Sequence, residues 1–318
     1  MTEHLVDIPE NPAPEWGEVS HFAAYDGRSI RYGRFPAQTR PLKGTVVILA
    51  GRNECIEKYF ETIRDLSSRG FGAAILDWRG QGGSERLIRD PARGYVVSFD
   101  DYVADLEKFF DDVVLPDCRG PYYVLGHSTG SLIALIATPR LFNRVRRMVL
   151  VAPLLEFADL PVSMTTLRRT TALLYSLGLG TIYASGGPRR KGGNPFVANK
   201  LTTDLARFSR NTALFNAAPH LAMGGPTVAW IHAACVAAER VRDPDFAAML
   251  HVPTLLVAAG ADEVVSTQAV ETFARTLRSG SVVTIDGARH EILQEADIYR
   301  EQFWAAFDAF IPGENADS

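Results

Sequence analysis

The chain has 318 residues, 47% of them hydrophobic and 22% charged, with a formal net charge of −4. That composition is globular, a chain this long buries a core without staples, and the mild acidity argues against a general nucleic-acid binder. Its three cysteines, Cys55, Cys118 and Cys235, are scattered with no CxxC pair, which argues against a disulfide framework and a zinc site and fits a reducing compartment.

The opening stretch, MTEHLVDIPENPAPEWGEV, carries acids and prolines but no apolar core, so it does not read as a secretory signal. No run reaches the roughly 18 apolar residues of a membrane-spanning helix. The expected location is cytoplasmic, with peripheral contact at the inner face of a membrane left open. Residues 1–16 and 313–318 read as loosely held ends.

The first periodic stretch is VSHFAAY and SIRYGRF around Asp26-Gly27, a hairpin signature. GTVVILAG (44–51) is a buried strand, and IEKYFETIRDLSSRG (56–70) has helical spacing ending at glycine. GAAILDW (72–78) is another strand. FDDYVADLEKFFDDVVL (99–115) is an amphipathic helix with Phe99, Tyr102, Val103, Leu106, Phe109, Phe110 and Val113 on one side. YYVLG (122–126) is the next strand, SLIALIA (131–137) the next helix, stopped by Pro139, and VRRMVLVAP (145–153) a strand again.

This alternation predicts βαβ units and a mostly parallel sheet flanked by helices. It breaks at residue 154. From there to about 250 no β-branched run appears. Helical segments such as LRRTTALLYSL and TVAWIHAACVAAERV surround a basic, glycine-rich link, GGPRRKGGNPF (186–196). The rhythm resumes with VPTLLVAAG (252–260), a helix near 267–278, SVVTID (281–286) and a last helix near 297–310. The expected organisation is an α/β core in two parts, 17–153 and 251–312, interrupted by a helical cap over 154–250.

In a parallel sheet, ligands bind beyond the carboxyl ends of the strands. After YYVL comes Gly126-His127-Ser128-Thr129-Gly130, a Gly-x-Ser-x-Gly between strand and helix. That pattern makes a sharp turn exposing the serine Oγ, and its glycines avoid Cβ clashes with the neighbouring strand and helix. A serine needs a base, and the base an orienting acid, in the order Ser, acid, His. Asp262 follows TLLVAAG and His290 follows SVVTID, so both sit at strand ends in that order. Glu263 and Asp286 are rivals for the acid, and Asp262 also fits a helix cap. His127 adjoins the serine with no assigned role; His4, His21, His220, His232 and His251 read as structural. Oxyanion donors are expected from the backbone N–H of Thr129 and, on the loop after GTVVILA, of Arg52.

Together these residues resemble the α/β-hydrolase superfamily, and within it the lysophospholipase L2 and monoacylglycerol lipase branch. DWRGQGGS (77–84) is similar to that branch's Asp-x-Arg-Gly-x-Gly-x-Ser loop, and GRNECIEKYFETI (51–63) looks like the lysophospholipase oxyanion loop. NPFVANKLTTDLARFSRN and GGPTVAW in the insertion also resemble that subgroup. Two positions depart from the lipase relatives: Ala50-Gly51 stands where they carry His-Gly, and Thr129-Gly130-Ser131 where they carry Met-Gly-Gly. The resemblance implies the Ser128–Asp262–His290 triad and a cap over 154–250, with no cofactor and no metal.

The insertion holds ten Lys plus Arg and six Asp plus Glu, a balance of +4, leaving −8 on the rest of the chain. A basic, apolar cap suits an amphiphilic ester carrying an anionic group, though a solvated helical surface would read the same way. The expectation is a serine carboxylic-ester hydrolase cleaving a lysophospholipid or monoacylglycerol. The alternatives are a small-ester or lactone hydrolase, and a ligand-binding protein that keeps the fold without turnover.

Overall fold

The computed structural model describes residues 4–188 and 195–311. Most of the basic link at 186–196 lies outside the described residues, as do Met1–Glu3 and everything after Ile311.

Eight strands form one sheet: β1 (Glu18–Ala23), β2 (Ser29–Phe35), β3 (Gly44–Leu49), β4 (Phe71–Leu76), β5 (Tyr122–His127), β6 (Val145–Val151), β7 (Thr254–Ala259) and β8 (Gly280–Ile285). Their order is β1-β2-β4-β3-β5-β6-β7-β8. The β1–β2 hairpin pairs antiparallel with β4, and every later pairing is parallel. Strands β3, β4 and β7 are buried along their whole length, which is why they read as continuous apolar runs rather than alternating ones. The chain leaves β3 toward β4, then crosses back to place β5 on the other side of β3. That reversal opens a crevice at the carboxyl ends of β3 and β5.

Between β6 and β7 the described residues add no strand to the sheet. They supply the helices Met164–Leu174, Leu205–Ala217 and Val228–Arg242. Helix Val228–Arg242 buries Trp230, Ile231, Ala234, Cys235, Ala238 and Val241 in the main apolar core. Helix Leu205–Ala217 is tied to the core by charge. Arg207 and Arg210 reach Glu61 of helix Phe60–Ser68 at 2.6 and 2.7 Å, and Arg300 of the last helix joins at 2.9 Å.

Two sequence expectations change. The helix after Ser128 does not stop at Pro139 but runs from Thr129 to Leu141. Proline removes its own N–H and crowds the carbonyl four residues back, but the helix is buried on nearly all sides, and that packing carries it past Pro139. The described part of the N-terminal stretch, from His4, is not loose either. Ile8 packs with Cys55, Leu214, Ala218 and Leu221. Asn11 donates to the Glu57 carbonyl at 2.8 Å, and the Val6 N–H donates to Glu57 Oε1 at 3.2 Å.

Candidate active site

Strand β5 ends at His127 and the next helix begins at Thr129, so the whole reversal falls on Ser128. Ser128 takes φ 51°, ψ −111°, backbone that L-residues rarely adopt and that persists only where the surroundings enforce it. They do so at close range. A Cβ on Gly130 would lie 2.0 Å from the Leu49 carbonyl oxygen, and one on Gly126 2.9 Å from the Ser131 Cα. The Ser128 N–H donates to Val151 of β6 at 2.9 Å.

His290 Nε2 lies 3.0 Å from Ser128 Oγ, and its Nδ1 lies 2.8 Å from Asp262 Oδ2. Asp262 Oδ1 accepts the N–H groups of Val264 and Val265 at 2.8 and 3.0 Å. Burial alone would raise the Asp262 carboxyl. The hydrogen bond and charge of His290 and the two amides outweigh it and hold the group below its ordinary value. With Asp262 ionised, His290 Nδ1 carries hydrogen and Nε2 is left to accept from the serine. Glu263 instead pairs with Lys200 at 3.2 Å, and the carboxylate on His290 is that of Asp262 rather than Asp286.

The loop after β3 is held from several sides. Trp78 Nε1 donates to the Ala50 carbonyl at 2.8 Å, and Gln81 Nε2 donates to the Gly51 carbonyl at 2.9 Å. Asn53, at φ 59°, accepts the Met223 N–H at 2.6 Å, linking this loop to the insertion. The contact of Gly130 with Leu49 and Ala50 brings the loop against the serine corner. Among the described residues, neither the Arg52 nor the Thr129 N–H has a hydrogen-bond acceptor. Thr129 is the first residue of its helix, where such orphan donors favour negative charge.

The Arg52 side chain lies under the insertion. One of its terminal nitrogens donates to the Gly224 carbonyl, and its guanidinium stands 5.4 Å from the Trp230 ring. Among the described residues no carboxylate pairs with it, and Nε has no partner. Burial pushes the group down to about 10.

Sequence reasoning missed a buried charged cluster behind the site. Glu54 accepts from the Gly51 N–H, from Tyr59 Oη at 2.6 Å and from Lys58 Nζ at 2.8 Å. Lys58 also reaches Glu291 at 2.6 Å. His127, 4% exposed, sits between Glu54 and the His290 carbonyl. Glu54 and Lys58 stand four apart in the sequence; only the fold brings His127 and Glu291 to them. Among the described residues no group of three or more His, Cys, Asp or Glu side chains is placed to hold a metal ion.

A strand order of this kind, parallel from β4 onward and carrying a serine on a strained corner beside a histidine, is the α/β-hydrolase fold. Residues 40–297 match the serine aminopeptidase, S33, family, and the chain belongs to that family. It is 33% identical over 311 residues to lysophospholipase L2 of Escherichia coli K12, covering 95% of this chain and 89% of that protein. It is 26% identical over 266 residues to a probable lysophospholipase L2 of Haemophilus influenzae, covering 84% and 83%. In fold it is similar to a soluble variant of the monoglyceride lipase of Saccharomyces cerevisiae, with a TM-score of 0.72, 19% identity and coverage of 93% and 95%. The chain falls in the lysophospholipase L2-like branch of the superfamily and is a carboxylic-ester hydrolase.

Proposed function

We propose that this protein hydrolyses the acyl ester of a lysophospholipid through Ser128, His290 and Asp262. The observation that carries the reading is the relay of 3.0 Å from Ser128 to His290 and 2.8 Å from His290 to Asp262. Ser128 Oγ attacks the ester carbonyl as His290 Nε2 takes its proton. Asp262 holds the ring and stabilises the imidazolium that forms. The N–H groups of Arg52 and Thr129 receive the oxyanion. His290 then returns the proton to the leaving glycerol oxygen, leaving an acyl-serine. Water, deprotonated by the same nitrogen, attacks the acyl carbon and releases the fatty acid and free Ser128.

Two observations favour a phosphate-bearing substrate over a monoacylglycerol. The 33% identical relative is a lysophospholipase. Arg52 also holds a partly buried cation that no carboxylate faces among the described residues, on the side chain of an oxyanion donor. A phosphate on the same glycerol as the scissile ester supplies the missing anion; a monoacylglycerol supplies none. Leu173, Leu177 and Ile182 are exposed on the insertion, as is Arg169, which supports peripheral contact with a lipid surface. No described helix is long and apolar enough to cross a membrane.

Fatty-acid release from matched lysophospholipids, monoacylglycerols and p-nitrophenyl acetate tests the assignment. We expect the highest kcat/KM on the lysophospholipids. A sharp preference for the acetate would favour a small-ester hydrolase instead.

A further inference from the structure

His127 Nε2 lies 3.1 Å from the His290 carbonyl oxygen, and Nδ1 lies 3.1 and 3.2 Å from the two Glu54 oxygens. A carbonyl only accepts, so Nε2 carries a hydrogen. A carboxylate only accepts, so Nδ1 carries one too. A proton on Glu54 instead would compete with the Lys58 ammonium and the Gly51 N–H, both obligate donors to that carboxyl. The groups facing His127 are Glu54 from the loop after β3, Lys58 and Tyr59 from the next turn, and His290 and Glu291 from the loop after β8. With His127 charged, two carboxylates stand against two cations and the buried cluster is neutral. The electrostatics agree. Burial would lower the His127 ring, but the Glu54 charge and hydrogen bond and the Glu291 charge raise it above its ordinary value. Burial would raise Glu54, but Lys58 and His127 hold it well below.

The ring touches all three parts of the site. It belongs to the residue before Ser128, it bonds the backbone of the base, and through Glu54 it reaches the Gly51 N–H, one residue before the Arg52 donor. We propose that His127 is a positioning residue that works as a permanent imidazolium, locking the oxyanion loop and the His290 loop in register with the serine corner. This rests on the assignment of Ser128 and His290 above, and its test separates the two.

Nitrogen-detected NMR of the histidine-labelled wild-type protein reads the protonation state directly. We expect both His127 nitrogens to bear hydrogen at a pH where an ordinary histidine is already neutral. A neutral His127 ring at that pH overturns the proposal. The companion measurement compares His127→Gln and Glu54→Gln with wild type on a p-nitrophenyl ester. A positioning role predicts kcat down about tenfold or more with KM within about threefold. Unchanged kcat in folded His127→Gln overturns the positioning role while leaving the nucleophile assignment standing. A wild-type protein that fluorophosphonate does not label overturns that assignment instead.

Discussion

His290 Nε2 stands 3.0 Å from Ser128 Oγ although 162 residues separate them in the chain. The contact exists because β5 and β8 end on the same side of a parallel sheet, and the serine backbone is forced to φ 51° to present its hydroxyl there. Replacing Ser128 with Ala removes the nucleophile and leaves the corner intact. Turnover of any ester substrate should fall by about 10⁴-fold or more. Steady-state kinetics beside a circular dichroism spectrum would check this, and residual turnover within tenfold of wild type would contradict it.

Asp262 is expected to act through the ring it holds. Asp262→Asn keeps the shape but presents an amide where Nδ1–H needs an acceptor, which favours the wrong tautomer. We expect kcat to drop by about 10³–10⁴-fold with KM little changed.

The Gly130 contact gives a stability prediction. A Cβ placed 2.0 Å from a strand carbonyl has nowhere to go without moving either β3 or the helix. Gly130→Ala should destabilise the fold by about 1–3 kcal/mol or more, measured by urea denaturation. Gly27→Ala makes a useful contrast: it carries a positive φ of 81° but nothing lies within 4 Å of the added atom, so its cost is backbone strain alone.

Much of the candidate site could be read from the chain, and what could not has a physical reason. The buried strands announced themselves as β-branched runs, and Ser128, Asp262 and His290 stood at their ends in the order the chemistry needs. Pro139 misled because the packing of a helix buried on nearly all sides carries it past a helix-breaking residue. Residues 4–16 misled because Ile8 and Asn11 are anchored by groups more than forty positions away. His127 was visible as a neighbour of Ser128, but its partners Glu54 and the His290 carbonyl meet it only once β3, β5 and β8 are assembled.

Glu61 couples the insertion to pH. Burial raises its carboxyl, but the Arg207 hydrogen bond and the Arg300 and Arg210 charges hold it down to about 2. A carboxylate depressed in the folded state contributes stability that is present above its ordinary value of about 4.3 and lost as pH falls toward the folded value. The melting temperature should therefore decline below about pH 4.5. Glu61→Gln should flatten that decline and lower the neutral-pH melting temperature by about 2–4 °C, for about 1 kcal/mol at a partly exposed site.

Arg52 is where substrate choice should show. Arg52→Met removes the cation while keeping the backbone donor. The ratio of kcat/KM on a lysophospholipid to that on the monoacylglycerol of the same chain length should fall about tenfold or more. An unchanged ratio would remove the argument for a phosphate at this position.

The most direct measurement is mass spectrometry of the protein after reaction with a long-chain fluorophosphonate. A single adduct is expected on the peptide containing Ser128, absent in Ser128→Ala and slowed in Asp262→Asn. An unlabelled wild-type protein, or an adduct on another residue that survives Ser128→Ala, would contradict it.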